Sequence, residues 1–326
     1  MATVSLVVPV RNEEAHIGAC LQAIREQTHP ADLLEVIVVD GESSDRTATV
    51  VANVAADDRR IRLVPNPERT MSAGLNLGIR LASGDYVGAV SGHSVLSRDY
   101  VARVVQAALE TGAWSVGGTI VRTAGSPMQR AIALATSSRV GVGDSLHNFA
   151  TKSGWAETVF PGFWRRELFD QIGMFDPTMI ANEDNELSLR IREAGGRIWY
   201  DPEIRVEYVP RSTLGGLFRQ YRMYGLGKMR VLGKHRGGLR WRHVVPAAWV
   251  AFLIVGGGLS LAFGFIAPFW LAGLATYTTT IVVAALRLHR SAGWWRIAAA
   301  FATIHVAYGL GTWQGLISWP SNVRRG

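Results

Sequence analysis

The sequence predicts an α/β fold with a mostly parallel central sheet, followed by C-terminal transmembrane helices. Three observations lead there. Short β-branched runs alternate with amphipathic helical stretches through the first hundred residues. Those runs are apolar on both faces, which is how strands read when helices cover a parallel sheet on both sides. Beyond residue 243 the chain carries almost no charge over stretches long enough to cross a membrane.

The elements follow in order. Residues 4–9 (VSLVVP) read as a strand, and residues 14–27 as a helix with Ile17, Cys20, Leu21 and Ile24 on one face. Residues 35–40 (EVIVVD) form a second strand, followed by a helix over 45–56. A third strand over 61–64, a helix over 72–82 and a fourth strand over 86–90 complete the alternation. In such Rossmann-like sheets ligands bind at the carboxyl ends of the strands, near the switch in strand order. Asp40 and the turn Ser91-Gly92-His93 stand at those ends. After residues 115–122 the pattern loosens, a loop is expected from 141 to 163, and residues 183–194 read as a helix opened by acids.

Composition divides the chain. Hydrophobic residues make up 48% and charged residues 18%, below the quarter usual in soluble domains, and the deficit lies in the C-terminal part. The expected organisation is an α/β domain over 1–210, a basic amphipathic interface helix and linker over 211–243, and a membrane domain over 244–326. Within the last, 244–263 and 267–286 are charge-free and joined by a tight turn, and 297–319 is a third apolar stretch. Trp249, Trp270, Trp294, Trp295, Trp313 and Trp319 cluster toward segment ends, as interfacial anchors do. Two paths stay open for the third stretch, a full crossing that carries Arg324 and Arg325 to the far side, or a re-entrant one.

Charge sets orientation and excludes a partner class. Basic residues flank the 244–286 hairpin on both sides, from Lys234 to Arg242 and then Arg287, Arg290 and Arg296. By the positive-inside rule both ends are cytosolic. No basic leader precedes the first strand. The expectation is a multi-pass protein of the cell membrane with a cytoplasmic large domain. The net charge of +8 is concentrated between Arg205 and Arg242, with ten Lys/Arg against the single acid Glu207. Next to an apolar segment, that density suits anionic membrane lipids and not nucleic acid. The single cysteine, Cys20, forms no intrachain disulfide and reads as a core thiol, and no Cys/His metal cluster exists.

Four local patterns carry chemistry. The first, V4SLVVPVRNEE, is a strand ending in a polar turn. The second, V39DGESSDRT, ends a buried strand in a carboxylate, which is costly unless paired. Asp40 there can accept hydrogen bonds from a nucleobase or ribose, whereas Ser44 and Asp45 also read as ordinary helix caps. The third, A82SGDYVGAVSGH, is a Gly- and Asp-rich turn region of the kind many strands have. The fourth, A181NEDNELSLR, opens a helix with acids whose ionised form the helix dipole favours, a plain helix start being the bland reading.

Taken in order, these patterns resemble the inverting family 2 glycosyltransferases with a GT-A fold, over about residues 3–230. GLNLGIRLASGDYV, FPGFWRRELFDQIGMFD and GLFRQYRMYG add to the resemblance, which points to the membrane-anchored succinoglycan biosynthesis branch. The resemblance implies a hexosyltransferase that moves sugar from a nucleotide-diphospho-sugar, a UDP-sugar foremost, to a polyprenyl-linked or membrane-associated glycan in polysaccharide or cell-envelope biosynthesis. It implies that Pro9, Asn12, Glu13, Asp40, Asp85 and Ser91 bind the donor, with Gln220 and Arg222 near its diphosphate. Asp184 corresponds to the catalytic base, with Glu183 beside it. The turn 91–93 corresponds to the family's metal-binding D-x-D, but here it reads Ser-Gly-His. Two readings follow: a divalent cation (Mn²⁺ or Mg²⁺) held with His93, an imidazole suiting Mn²⁺ better, or a metal-free site that uses bases such as Arg222. Residues 153–163 are expected to shape the acceptor side. A nucleotide-sugar pyrophosphorylase would need a Gly-rich, Lys-bearing loop where this chain has V8PVRN. A catalytically inactive nucleotide-binding membrane scaffold is the alternative that the altered D-x-D raises.

Overall fold

The computed structural model describes residues 2–143, 150–235, 239–288 and 292–318. Arg236, Arg290, Trp319, Arg324 and Arg325 therefore lie outside the described residues. The strands are β1 (Val4–Val10), β2 (Leu34–Asp40), β3 (Ile61–Pro65), β4 (Tyr86–Ala89), β5 (Ser94–Leu96), β6 (Ser115–Arg122), β7 (Gly154–Ala156), β8 (Phe160–Arg165) and β9 (Ile198–Tyr208). The first helices are α1 (Ile17–Arg25), α2 (Thr47–Asp57), α3 (Met71–Leu81), α4 (Tyr100–Thr111), α5 (Pro127–Thr136) and α6 (Arg139–Val142). The remainder are α7 (Leu168–Ile172), α8 (Glu183–Glu193), α9 (Leu214–Lys234), α10 (Trp241–Ala251), α11 (Gly257–Ala262), α12 (Ala267–Leu288) and α13 (Trp294–Ile317). They group into two compact units, Met1–Arg122 with Leu146–Val209, and Thr123–Ser145 with Pro210–Gly326. The second unit thus takes in a stretch, 123–145, that composition alone places in the first domain.

The first unit is one nine-stranded sheet in the order β3-β2-β1-β4-β8-β6-β9-β5, with β7 on β9. β1, β2, β3 and β4 run parallel, whereas β8 is antiparallel to β4 and to β6. All seven residues of β1 are buried, and alternation decides what each one meets. Leu6, Val8 and Val10 join Ile17, Leu21 and Ile24 of α1 and Val101 and Val104 of α4 in one core. Val7 faces the other way, into a second core with Leu75 and Ile79 of α3 and Leu187 and Ile191 of α8. Cys20 lies in the first core, and burial, aided by Glu13, pushes its thiol up to about 12, so it is inert there.

The loop expected over 141–163 is a correction. Gly154–Ala156 and Phe160–Arg165 are strands of the main sheet, and Phe163 is fully buried. Glycines and a proline within these strands hide them from a reading based on β-branched runs. The strand β9 and the helix α4 escape that reading too.

In the second unit, α13 is the buried helix: Ile297, Ala300, Phe301 and Ala307 are fully buried. Helix α9 lies against it at glycines. A Cβ on Gly311 would come 2.0 Å from the Arg222 carbonyl, and one on Gly225 would come 2.2 Å from the Tyr308 carbonyl. Only hydrogen fits at such a crossing, which is how helices approach closely through small residues. The amphipathic helix expected within 211–243 forms, but Leu217, Leu226 and Val231 are buried within the protein. Lys228, which the charge pattern offers to lipid, is itself only 6% exposed.

Two helical stretches, Trp241–Ala262 and Gly264–Leu288, have 22 and 25 residues, and an 18-residue window in each has a mean hydropathy of 2.0 and 1.6. They are long and apolar enough to anchor the protein in a membrane. Most of their side chains face outward: Leu261 is 91% exposed, Phe269 76% and Ile254 65%. A turn at Gly264–Ile266 joins them, as expected of a hairpin.

Candidate active site

The parallel strands β1, β2, β3 and β4 end at one edge of the sheet, and the loops beyond them build the site. Asn12, Glu42 and Arg69, which follow β1, β2 and β3, have φ of 57°, 52° and 58°. Asn182, immediately before α8, has φ of 63°, and among the described residues no other non-glycine has positive φ. Such backbone costs on the order of 1–3 kcal/mol per residue and persists only where the surroundings hold it.

Here the loops hold one another. The Asn12 N–H donates to the Ser43 hydroxyl at 2.9 Å, and Asn12 Oδ1 accepts from the Ser44 N–H at 2.8 Å. The Glu13 N–H donates to Thr47 Oγ1 at 2.8 Å, and Glu14 accepts from the Arg46 N–H at 3.0 Å. Arg69 Nε donates to the Glu42 carboxylate at 2.6 Å. Asp40 closes β2, paired in register with Val10, and is 8% exposed. It is not unpaired: Oδ1 accepts from the Ser43 hydroxyl at 2.5 Å and Oδ2 from the Ser43 N–H at 3.1 Å. Two of a carboxylate's roughly four lone-pair sites remain.

The turn after β4 brings His93 to the same edge. Its Nδ1 lies 2.9 Å from Glu13 Oε1, and its ring packs edge-on to Tyr208 with centroids 5.2 Å apart. Ser91, at the start of this turn, accepts a bond from the Ser94 N–H through its carbonyl. Pro9 sits inside β1, in register with Val39.

The acids arrive along α3. Asn76 exchanges two hydrogen bonds with the Phe175 backbone, at 2.7 and 2.9 Å, and Ser72 reaches the Met179 carbonyl. The chain is thereby led toward the amino end of α3, at the site edge, where Glu183 and Asp184 open α8. Burial and the neighbouring Asp184 push Glu183 up to about 7. Glu186 has a different task. It is buried and bonded to Arg190, whose guanidinium also binds the carbonyls of Ile172, Gly173 and Met174.

Comparison with known proteins decides the family. The family model described as Glycosyl transferase family 2 matches residues 5–173. The succinoglycan biosynthesis protein ExoA of Rhizobium meliloti is 33% identical over 309 residues, 89% of this chain and 93% of that protein. The chain belongs to glycosyl transferase family 2. A Methanococcus voltae relative, a dolichyl N-acetyl-alpha-D-glucosaminyl phosphate 3-beta-D-2,3-diacetamido-2,3-dideoxy-beta-D-glucuronosyltransferase, is 25% identical over 249 residues, 74% of this chain and 77% of its own. Among solved structures, a mannosyltransferase from Pyrobaculum calidifontis in complex with GDP-Man and Mn²⁺ aligns with a TM-score of 0.63 at 21% identity, covering 96% of this chain and 87% of that one. The fold is GT-A, and the protein is a glycosyltransferase.

Within this family 2 fold the expected residues separate. Pro9, Asn12, Glu13, Asp40, Ser91, His93, Glu183 and Asp184 all belong to the sheet's carboxyl edge or to the loops beside it. Asp85 does not, and this is a correction. It precedes β4, where its carboxylate accepts from the Thr3 N–H and hydroxyl at 2.9 and 2.8 Å. Register places Asp85 beside Thr3 and Asp40 beside Val10, seven residues along the strand, roughly 23 Å apart. An acid just before a strand stands at its amino end, away from the carboxyl edge where the other loops meet. Gln220 and Arg222 lie on α9 in the second unit, Gln220 bonded to Tyr224 at 3.0 Å and Arg222 to Gln314 at 2.9 Å. Arg69 joins the site without a mark in the sequence. A base just past a strand's carboxyl end is the available signal, but the turn N66PERT has no pattern to single it out.

Proposed function

We propose that the protein is a membrane-anchored inverting hexosyltransferase that uses a nucleotide-diphospho-sugar, with UDP-sugar the first candidate. Its acceptor would be a lipid-linked or membrane-associated glycan, in polysaccharide or cell-envelope biosynthesis. The observation that carries this reading is the acidic pair Glu183–Asp184, opening a helix at the edge where the strained loops of β1, β2 and β3 converge. Asp184 takes the proton from the acceptor hydroxyl as its oxygen bonds to the sugar C1. The C1–O bond to the diphosphate breaks in the same step and the diphosphate leaves with the electron pair, so configuration inverts. Asp40, with lone pairs left over from Ser43, is the acceptor for the base or ribose. Asn12 and Arg69 line the loops around it.

A divalent cation fits the donor set in one way. No group of three or more His, Cys, Asp or Glu able to hold a metal occurs among the described residues. His93 would supply one ligand and diphosphate oxygens the others, a mixed set that suits Mn²⁺ better than Mg²⁺. Such a cation, when bound, offsets the charge that builds on the leaving diphosphate. The Mn²⁺ in the Pyrobaculum mannosyltransferase complex supports this reading.

Membrane attachment of the substrate rests on the outward-facing hairpin of Trp241–Ala262 and Gly264–Leu288 and on the lipid-linked acceptor named for the Methanococcus relative. Basic flanks favour a cytoplasmic catalytic unit in a multi-pass arrangement, with anionic lipids at the surface. The test is full-length protein in lipid vesicles, screened with UDP- and GDP-sugars with and without Mn²⁺ and chelator. Transfer with inverted anomeric configuration, read by NMR and stopped by chelator, is expected. Retained configuration sinks the mechanism, full activity in chelator sinks the metal, and nucleotide binding without turnover returns the chain to a scaffold.

A further inference from the structure

Glu13, expected beside the donor, is tied by its backbone to the start of α1 and of α2. Its N–H donates to Thr47 Oγ1 at 2.8 Å, and its carbonyl accepts from the His16 and Ile17 N–H groups, each at 2.9 Å. The backbone is therefore fixed between β1 and α1, and the carboxylate is directed at His93, with Oε1 at 2.9 Å from Nδ1. The second oxygen lies 3.6 Å from His16 Nδ1. Gly92 makes this approach possible, since a Cβ there would stand 2.6 Å from Val10 Cγ1 and 3.4 Å from Glu13 Cγ. Tyr208 packs edge-on to the imidazole from another side.

We infer that Glu13 is a positioning residue: it fixes the tautomer and orientation of His93, so that Nε2 carries the lone pair offered to the divalent cation. The inference rests on the metal reading above. An ionised carboxylate only accepts, so the Nδ1 facing it carries the hydrogen and Nε2 is left as the basic nitrogen. A carboxylate behind a ligating imidazole holds the ring and makes it a better donor, and removing such a partner typically lowers metal affinity about 10–100-fold. The arrangement also bears on the missing D-x-D acid. Where a carboxylate ligand would bring a negative charge into contact with the metal, an imidazole ligand would not, and the Glu13 carboxylate would stand one hydrogen bond further back.

The test measures metal uptake, not turnover. Full-length protein is titrated with Mn²⁺ in the presence of UDP, the free Mn²⁺ followed by electron paramagnetic resonance, and UDP binding alone is measured by calorimetry in chelator. Glu13→Ala is expected to weaken Mn²⁺ uptake about 10–100-fold, a larger factor than any loss of metal-free UDP affinity. Glu13→Gln, whose amide can accept from Nδ1–H but can also donate to Nδ1 and carries no charge, should recover part of the loss, and Glu13→Asp, one methylene too short, should recover none. Wild-type Mn²⁺ affinity in both Glu13→Ala and Glu13→Asp would overturn the inference while leaving the metal reading intact. So would an equal loss of metal-free UDP binding, which would make Glu13 a wall of the pocket. No Mn²⁺ uptake by the wild-type protein would overturn the inference and the metal reading together. Should Glu13→Ala fail to fold, the contrast between Glu13→Gln and Glu13→Asp decides alone.

Discussion

The two units solve the same packing problem with opposite chemistry. The sequence stretches 123–145 and 210–326 hold sixteen Lys/Arg and one acid, Asp144, whereas the other unit holds twenty-five acids against eighteen Lys/Arg. In the acidic unit the site loops are joined by side-chain hydrogen bonds among Asn12, Ser43, Ser44, Glu13 and Thr47. In the basic unit the helices meet through glycine, at Gly225, Gly311 and Gly315. Water drives apolar burial in the first case. In the second, backbones in contact at glycine set the fit, since no Cβ has room there. Geometry in the catalytic unit is thus set by polar ties, whereas in the helical unit it is set by the absence of side chains.

Breaking the chemistry of the first unit gives the largest effect. Asp184→Asn is expected to reduce transfer by about a hundredfold or more, with nucleotide affinity changed only a few-fold. Near-normal turnover would make Asp184 an ordinary helix-start acid.

Filling the glycine crossing tests the second unit. In Gly311→Leu the new side chain would have to displace the backbone at Arg222, and overpacking of that kind costs about 1–3 kcal/mol or more. The expected result is a lowered unfolding temperature in detergent, with nucleotide binding by the first unit retained. An unchanged melting curve would mean that the helices can separate without loss.

A pair of acids sharpens the account of the sheet's two ends. Asp40→Ala should weaken nucleotide binding by about 1.5–3 kcal/mol, the scale of hydrogen bonds to a charged group. Asp85→Asn should leave it unchanged in calorimetry. The Thr3 N–H and hydroxyl hold the Asp85 carboxyl below its usual value, so its contribution is to stability. That contribution is present above the unfolded pKa and is lost as pH falls through the folded one. Equal losses of nucleotide affinity in the two variants would refute the end-of-strand argument.

Ionisation of Glu183 adds a pH dependence. Glu183 is raised to about 7, so between its ordinary value of 4.5 and that pH the folded state binds the proton more tightly than the unfolded one. Stability from this group therefore falls as pH rises across that window. Glu183→Gln should melt at a higher temperature than wild type at about pH 8, and the difference should vanish below about pH 4.5. A difference independent of pH would show that the carboxyl's ionisation is not the cause.

Much of this is legible in the amino-acid sequence alone. β1, β2, β3 and β4 can be read because a strand buried on both faces must be apolar throughout, and the residues closing them therefore stand out as polar. The hairpin of 244–286 can be read because charge-free stretches of that length have few alternatives. Asp40, His93 and the acids of α8 are found because each sits where an apolar run stops. Tertiary structure alone decides the rest. Only the side-chain bonds show that the Asp85 carboxylate, at the amino end of β4, is taken up by Thr3. Only long-range pairing shows that Phe160–Arg165 is a central strand, since its neighbours β4 and β6 are far away in sequence. The bond from Glu13 to His93 spans eighty residues. No local pattern encodes it, because it exists only once parallel strands bring the loops after β1 and β4 side by side.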